Sequence, residues 1–260
     1  MPIDEDRMDR FTWQEGDVTI TKKEDTPATR VDPKRNWIDP DDKKIISGNS
    51  DEVTDLLLEI ARCDNIHGNN SHCQTIIQTQ SADDFQLPEP WSGDLENAPI
   101  LFLSSNPSIG MKEKYPISSW TDEQIIDFFS NRFGGGLEEW TSNGRHTLLN
   151  DGSFKKTWVR YWGAARGRAA ELLGRRNVKP GIDYAFSEVV HCKSHDEHGV
   201  GCAFDECTGR YLNSLIACSG AKIIVCFGQF AEKAVRDIFN IQNSGHMSEP
   251  VKIGNTHLSL

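Results

Sequence analysis

LFLSSNPSIG, residues 101 to 110, opens as an apolar run and stops abruptly at Ser-Ser-Asn-Pro-Ser. A strand buried on both faces is apolar along its whole length, and in open α/β sheets ligands gather just beyond the carboxyl ends of the strands. The stretch therefore predicts a core strand near Pro99 to Leu103 followed by a polar loop in the place where such folds bind ligands. Asn-Pro is also ordinary turn chemistry, so a plain turn is the competing reading of the same residues.

Elements on either side extend the pattern. Val53, Leu56, Leu57 and Ile60 recur at helical spacing, with Asn49 or Ser50 able to cap the start, so a helix is expected over Asp51 to Arg62. The stretch from Asp64 to Asn97 reads as loop, and PEPW at 88 to 91 argues against a regular element there. TDEQIIDFFSNRF is helical in pattern and is ended by FGGG at 133 to 136, after which residues 134 to 153 suggest a surface excursion. A second helix is expected over Thr157 to Leu173 and a second core strand over Tyr184 to Val190. The loop HCKSHDEHGVGCAFDE follows, then a helix through Cys207, Tyr211, Leu212 and Leu215. A strand at 221 to 228, a helix over Ala231 to Ile238 and a last strand from Val251 complete the series. Strands alternating with helices predict a parallel sheet covered on both faces. Residues 1 to 48 are acidic, polar and interrupted by Pro2, Pro27, Pro33 and Pro40, and read as an irregular tail before a domain over 49 to 260.

Composition narrows the function classes. The chain opens MPIDEDRMDR and has no apolar run of about 18 residues, so a cytoplasmic protein with no membrane partner is expected. Seven cysteines, an odd number, do not resemble a secreted disulfide framework and suggest buried thiols or a metal site. A net charge of -11 opposes nonspecific adhesion to nucleic acid, yet the segment 155 to 179 holds eight basic residues against the single acid Glu171. That local excess of positive charge could follow a DNA backbone, or be no more than a solvated helix face. No glycine-rich phosphate loop is present to support a small-molecule phosphate enzyme.

Taken in order, the strand with SSNPS, then FSEVVHCKS, DECTGRYLNSLI and AKIIVCFGQFAEKAV resemble the uracil-DNA glycosylase superfamily. The order is similar to its iron-sulfur branch, while Asn106-Pro107 looks like the Asn-Pro motif of the mismatch-specific and single-strand-selective branches. The resemblance spans about residues 50 to 260. It implies a three-layer α/β/α sandwich around a central, mainly parallel four-stranded sheet, and a monofunctional DNA repair enzyme that hydrolyses the N-glycosidic bond of a flipped uracil or other deaminated base. Base extrusion into a reading pocket is the physical requirement of such chemistry. Asn106 is then the residue that positions water, its side-chain carbonyl accepting a hydrogen bond while the amide faces elsewhere. Ser105 and Pro107 flank it in the substrate loop, and Tyr115 lies at a spacing suited to a base-stacking aromatic.

Two departures bear on substrate and chemistry. Glu188 stands where the family often has a base-reading Asn. An ionised carboxylate only accepts hydrogen bonds, so Glu188 either suits an edge with two donors, is protonated, or points away from the site. The family's later His-Pro loop is not evident: His257 in THLSL aligns with the strand before it, and the chain ends at Leu260 as though truncated there. A non-catalytic DNA-binding or adaptor protein on the same fold is therefore the alternative.

The resemblance also implies a 4Fe-4S cluster held by Cys63, Cys73, Cys192 and Cys207, although nine residues separate the first pair where the family commonly has fewer. Cys63, His67, His72 and Cys73 offer a competing zinc set of nonstandard spacing, and the absence of any metal is a third possibility. Cys202 could be a further ligand, whereas Cys218 and Cys226 lie in apolar surroundings and read as core thiols.

Overall fold

The computed structural model describes residues 50–68, 72–81 and 85–242, together with the backbone of 251–253 and 256–258. The expected tail over 1 to 48 lies outside the described residues. Helix α1, Asp51–Ala61, forms where the spacing predicts it. Ser50 caps it through Val53 N, and Val53, Leu57 and Ile60 are buried. A short 3-10 turn, Asp64–Ile66, and helix α2, Gln74–Ile77, follow. Strand β1, Trp91–Ser92, comes next, in the place where PEPW argues against regular structure. Pairing with a neighbour stabilises this two-residue edge strand despite its flanking prolines, which an edge tolerates.

Strand β2, Ile100–Ser104, is the predicted core strand. Helix α3, Asp122–Ser130, starts at a capping box in which Thr121 and Gln124 satisfy each other's backbone donors. The excursion after it contains two short strands, β3, Thr141–Ser142, and β4, His146–Thr147, paired antiparallel. Helix α4, Arg160–Leu172, leads to strand β5, Tyr184–Glu188. Helix α5, Val200–Cys207, runs into a π-helical turn, Thr208–Leu212, and helix α6, Asn213–Cys218. It begins inside the segment read from sequence as loop, with Gly199 as its cap in the left-handed conformation. Strand β6, Ile223–Cys226, and helix α7, Gln229–Phe239, complete the main body.

The central sheet has the order β1-β5-β2-β6, with β5, β2 and β6 parallel and β1 antiparallel at the edge. The fold is mixed α/β with a mostly parallel four-stranded sheet, but its fourth strand is not the one expected near Val251. Strands β7, Val251–Ile253, and β8, Thr256–Leu258, instead pair with each other, and His257 falls in β8. The parallel register aligns Ile100, Phe102 and Ser104 with Tyr184, Phe186 and Glu188. Because side chains alternate, these residues share one face. Phe102 lies 5.5 Å from Tyr184 and 5.7 Å from Phe186, and α4 covers that face through Tyr161, whose ring is 5.3 Å from Phe186. Leu101, Leu103 and Ala185 enter the larger core with α1, α5, α6 and α7. Among the described residues no helix is long and apolar enough to cross a membrane.

Candidate functional site

Asn106 lies two residues beyond the end of β2, at the carboxyl edge of the parallel strands. Its Nδ2 reaches Ser194 Oγ at 2.9 Å, Pro107 O at 3.1 Å and Cys192 O at 3.3 Å. Two of these partners are backbone carbonyls, which only accept, so the orientation of the amide is fixed with its NH2 toward the 192–194 segment. Oδ1 has no partner among the described residues and remains an acceptor. Ser194 N donates to Pro107 O at 3.1 Å, clamping the two loops together. Ser105 is buried and donates to Glu197, which with Asp196 adopts positive φ, 57° and 49°. Two consecutive non-glycine residues in the left-handed region carry strain that their surroundings must compensate.

Behind this loop is a buried charge cluster with no local pattern in the sequence. Arg132 pairs with Glu89 at 2.7 Å and Glu113 at 2.6 Å, and Lys193 Nζ lies 4.0 Å from Glu113. Burial alone would raise the Glu89 carboxyl, but Arg132, Lys193 and donors from Tyr115 and Ser92 hold it below its ordinary value. Glu188 differs. It is 5% exposed, and burial, reinforced by the charge of Glu89, raises its carboxyl well above the usual range. Two cations already face two carboxylates here, so an ionised Glu188 would be a buried charge without compensation. Glu188 thus points into the protein, where burial and the Glu89 charge favour its neutral form.

Tyr115 is not an open stacking platform. It is buried, donates to Glu89 at 2.8 Å, and packs edge-on to Phe128 and Phe129 with ring centroids at 5.0 Å and 5.9 Å. Lys193 Nζ covers its ring at 3.4 Å. The half-buried aromatics at the strand ends are instead Tyr161 and Phe227, whose rings are 5.4 Å apart. Neither is marked by a sequence motif.

The four cysteines implied as ligands converge. Cys63, Cys73, Cys192 and Cys207, each less than a tenth exposed, line one pocket with Asn65 and Arg210. Burial pushes the Cys207 thiol up to about 12 and raises Cys192, and the neighbouring thiols add to both shifts. Donors point at three of the sulfurs: His191 N at 3.5 Å from Cys207, Asn65 Nδ2 at 3.9 Å from Cys73 and Arg210 Nη1 at 3.9 Å from Cys63. The π-helical turn immediately after Cys207 supplies Arg210 and Tyr211, a distortion that recurs at functional sites. His67 and His72 are exposed and do not line the pocket, and Cys202 is exposed on α5. Cys218 and Cys226 are half-buried against the core.

The basic segment divides. Arg160 and Tyr161 begin α4 at the end of the sheet where Ser104 and Glu188 lie. Arg175, Arg176 and Lys179 precede β5 at the opposite end, about 20 Å away by helical rise. Arg166 is buried, Arg168 pairs with Glu171 at 2.6 Å and Arg175 with Asp183 at 2.5 Å. No family model matches the chain, and no curated protein matches it.

Proposed function

We propose that this protein is a uracil-DNA glycosylase-like enzyme that hydrolyses the N-glycosidic bond of a flipped, deaminated base, on an α/β/α sandwich of that superfamily's type. The observation that carries the reading is the fixed amide of Asn106, whose free carbonyl oxygen faces away from the anchoring loop at the carboxyl ends of the parallel strands. Held by Oδ1, a water is placed for attack on the sugar C1′. An amide is a weak base, but a glycosidic bond that cleaves through a cationic sugar needs a positioned nucleophile more than a strong one. Backbone contacts to DNA fall to the exposed cations at the site end of α4, Arg160 foremost.

The thiol pocket supports a structural 4Fe-4S cluster. Four buried sulfurs and three donors aimed at them suit a thiolate-held anionic group. Four cysteine thiolates are the ligand set such a cluster takes, and the donors at Cys63, Cys73 and Cys207 would stabilise its charge. When bound, the group would cross-link the end of α1, α2, the 191–194 loop and α5.

The test is release of free base from uracil- and hypoxanthine-containing DNA by protein purified without oxygen. Asn106→Ala should lower release about a hundredfold or more with an unchanged melting temperature. Equal release by the variant would remove Asn106 from the chemistry, and no release by the wild type would favour a DNA-binding protein without catalysis.

A further inference from the structure

Two buried polar atoms at the strand ends have no hydrogen-bond partner: Glu188 Oε2 and the Tyr161 hydroxyl. They belong to one place. Glu188 ends β5 beside Ser104 in the parallel register, and Tyr161 lies over the same sheet face, between Phe186 and Phe227. The Ser104 hydroxyl is close enough to influence both groups, yet completes a bond to neither orphaned atom. Other buried atoms also lack a partner, Arg132 Nε among them, but these two lie on one sheet face at the carboxyl ends of the strands, where a ligand can complete the pairing.

Resting on the glycosylase reading above, we propose that the Glu188 carboxyl and the Tyr161 hydroxyl form an oxyanion hole that receives a carbonyl oxygen of the departing base. Both groups are donors here. Tyr161 keeps its proton because burial raises its hydroxyl far above the ordinary value. Glu188 keeps its proton because burial and Glu89 outweigh Arg132 and Lys193, the cations that face it. A carboxylic acid held neutral by its surroundings can donate to developing negative charge, and two preorganised donors do so without reorganisation.

In the reaction the C1′–N bond breaks with its electron pair going to the base, where negative charge gathers on the carbonyl oxygen. The water held by Asn106 bonds to C1′, and the proton it sheds ends on the released base. The pair thereby supplies electrophilic assistance to the departing base. Where the oxygen received is the one that deamination creates, O4 of uracil or O6 of hypoxanthine, the pair also disfavours cytosine, whose amino group at that position would meet two donors.

The full-length protein should be assayed for single-turnover release of uracil and of 5-fluorouracil from otherwise identical DNA. Fluorine stabilises the departing anion and lessens its need for donors. Tyr161→Phe should slow uracil release about 100-fold and 5-fluorouracil release by less than about 10-fold. Glu188→Gln retains an N–H donor, so it should stay within about 10-fold of the wild type at pH 7 and lose the alkaline decline that ionisation of Glu188 gives the wild type. Equal slowing of both bases by Tyr161→Phe, no slowing of either, or an alkaline decline unchanged in Glu188→Gln would overturn the hole while leaving the glycosylase reading in place. Failure of the wild type to release either base would overturn that reading itself.

Discussion

The carbonyl of Cys192 accepts a hydrogen bond from Asn106 Nδ2 at 3.3 Å, while the sulfur of the same cysteine faces the four-thiol pocket. One residue thus joins the proposed cluster to the proposed water-positioning amide. His191 strengthens the link, since its N reaches Cys207 Sγ and its Nδ1 lies 2.8 Å from Glu89 O. Cys192→Ser, or removal of iron, should therefore lower the rate constant for base release about 10- to 100-fold, the range seen when the support of a site is lost, with a smaller change in DNA affinity. Cys226→Ser, outside the pocket, is the control. Single-turnover release by the two variants checks this, and equal behaviour would break the proposed link.

Protonation of Glu188 has a consequence for stability that does not depend on catalysis. Its carboxyl is raised in the folded protein, so the folded state holds a proton that the unfolded chain gives up above about pH 4.5. The unfolded state therefore gains on the folded state as pH rises from there toward the folded value. Glu188→Gln, which cannot ionise, should be more stable than the wild type at pH 8, and the difference should shrink toward pH 4.5. Urea midpoints at the two pH values measure it.

The parts of this structure legible in the sequence are those written in local spacing. Val53, Leu57 and Ile60 with Ser50, and Thr121 with Gln124, specify two helices without reference to the rest of the chain. Ile100 to Leu103 specify the central strand by composition. The order of motifs brought together Cys63, Cys73, Cys192 and Cys207, which nine intervening residues in the first pair would otherwise separate from any standard pattern. What was not legible depends on partners far along the chain. Strand β1 exists because Trp91 and Ser92 pair with Ser187 and Phe186. Tyr115 is sealed by Lys193, 78 positions later, and no periodicity announces that Glu89, Arg132 and Lys193 will share one buried space. The basic segment was legible as charge but not as position, because the helix carries its two ends to opposite sides of the sheet.

That division of charge predicts unequal roles for the arginines. Arg160→Ala should weaken DNA binding at low salt and reduce the slope of log K against log salt by about 1, as expected for loss of one phosphate contact. Arg176→Ala, four residues beyond the far end of α4, should leave both affinity and slope unchanged. Salt titrations of the two variants on one oligonucleotide distinguish the cases, and equal slopes would move the DNA path away from the strand ends.

Gly199 ties the thiol pocket to the main body through backbone alone. It caps α5 at φ 80°, and a Cβ at this position would lie 2.7 Å from Ile76 N and 2.8 Å from Ile76 Cα. These are main-chain atoms of α2, the helix capped by Cys73, while α5 ends in Cys207. Relief of the overlap requires α2 and α5 to separate, and the left-handed conformation itself costs an alanine about 1–2 kcal/mol. Gly199→Ala should therefore destabilise the fold by at least about 2 kcal/mol, at the upper end of ordinary single substitutions. If the proposed cluster is present, it should also reduce bound iron, because moving α2 displaces Cys73, one of the four proposed ligands. Thermal unfolding and iron content of the same preparation test both expectations. A variant of unchanged stability with a full complement of iron would show that the contact between Gly199 and Ile76 does not set the spacing of Cys73 and Cys207.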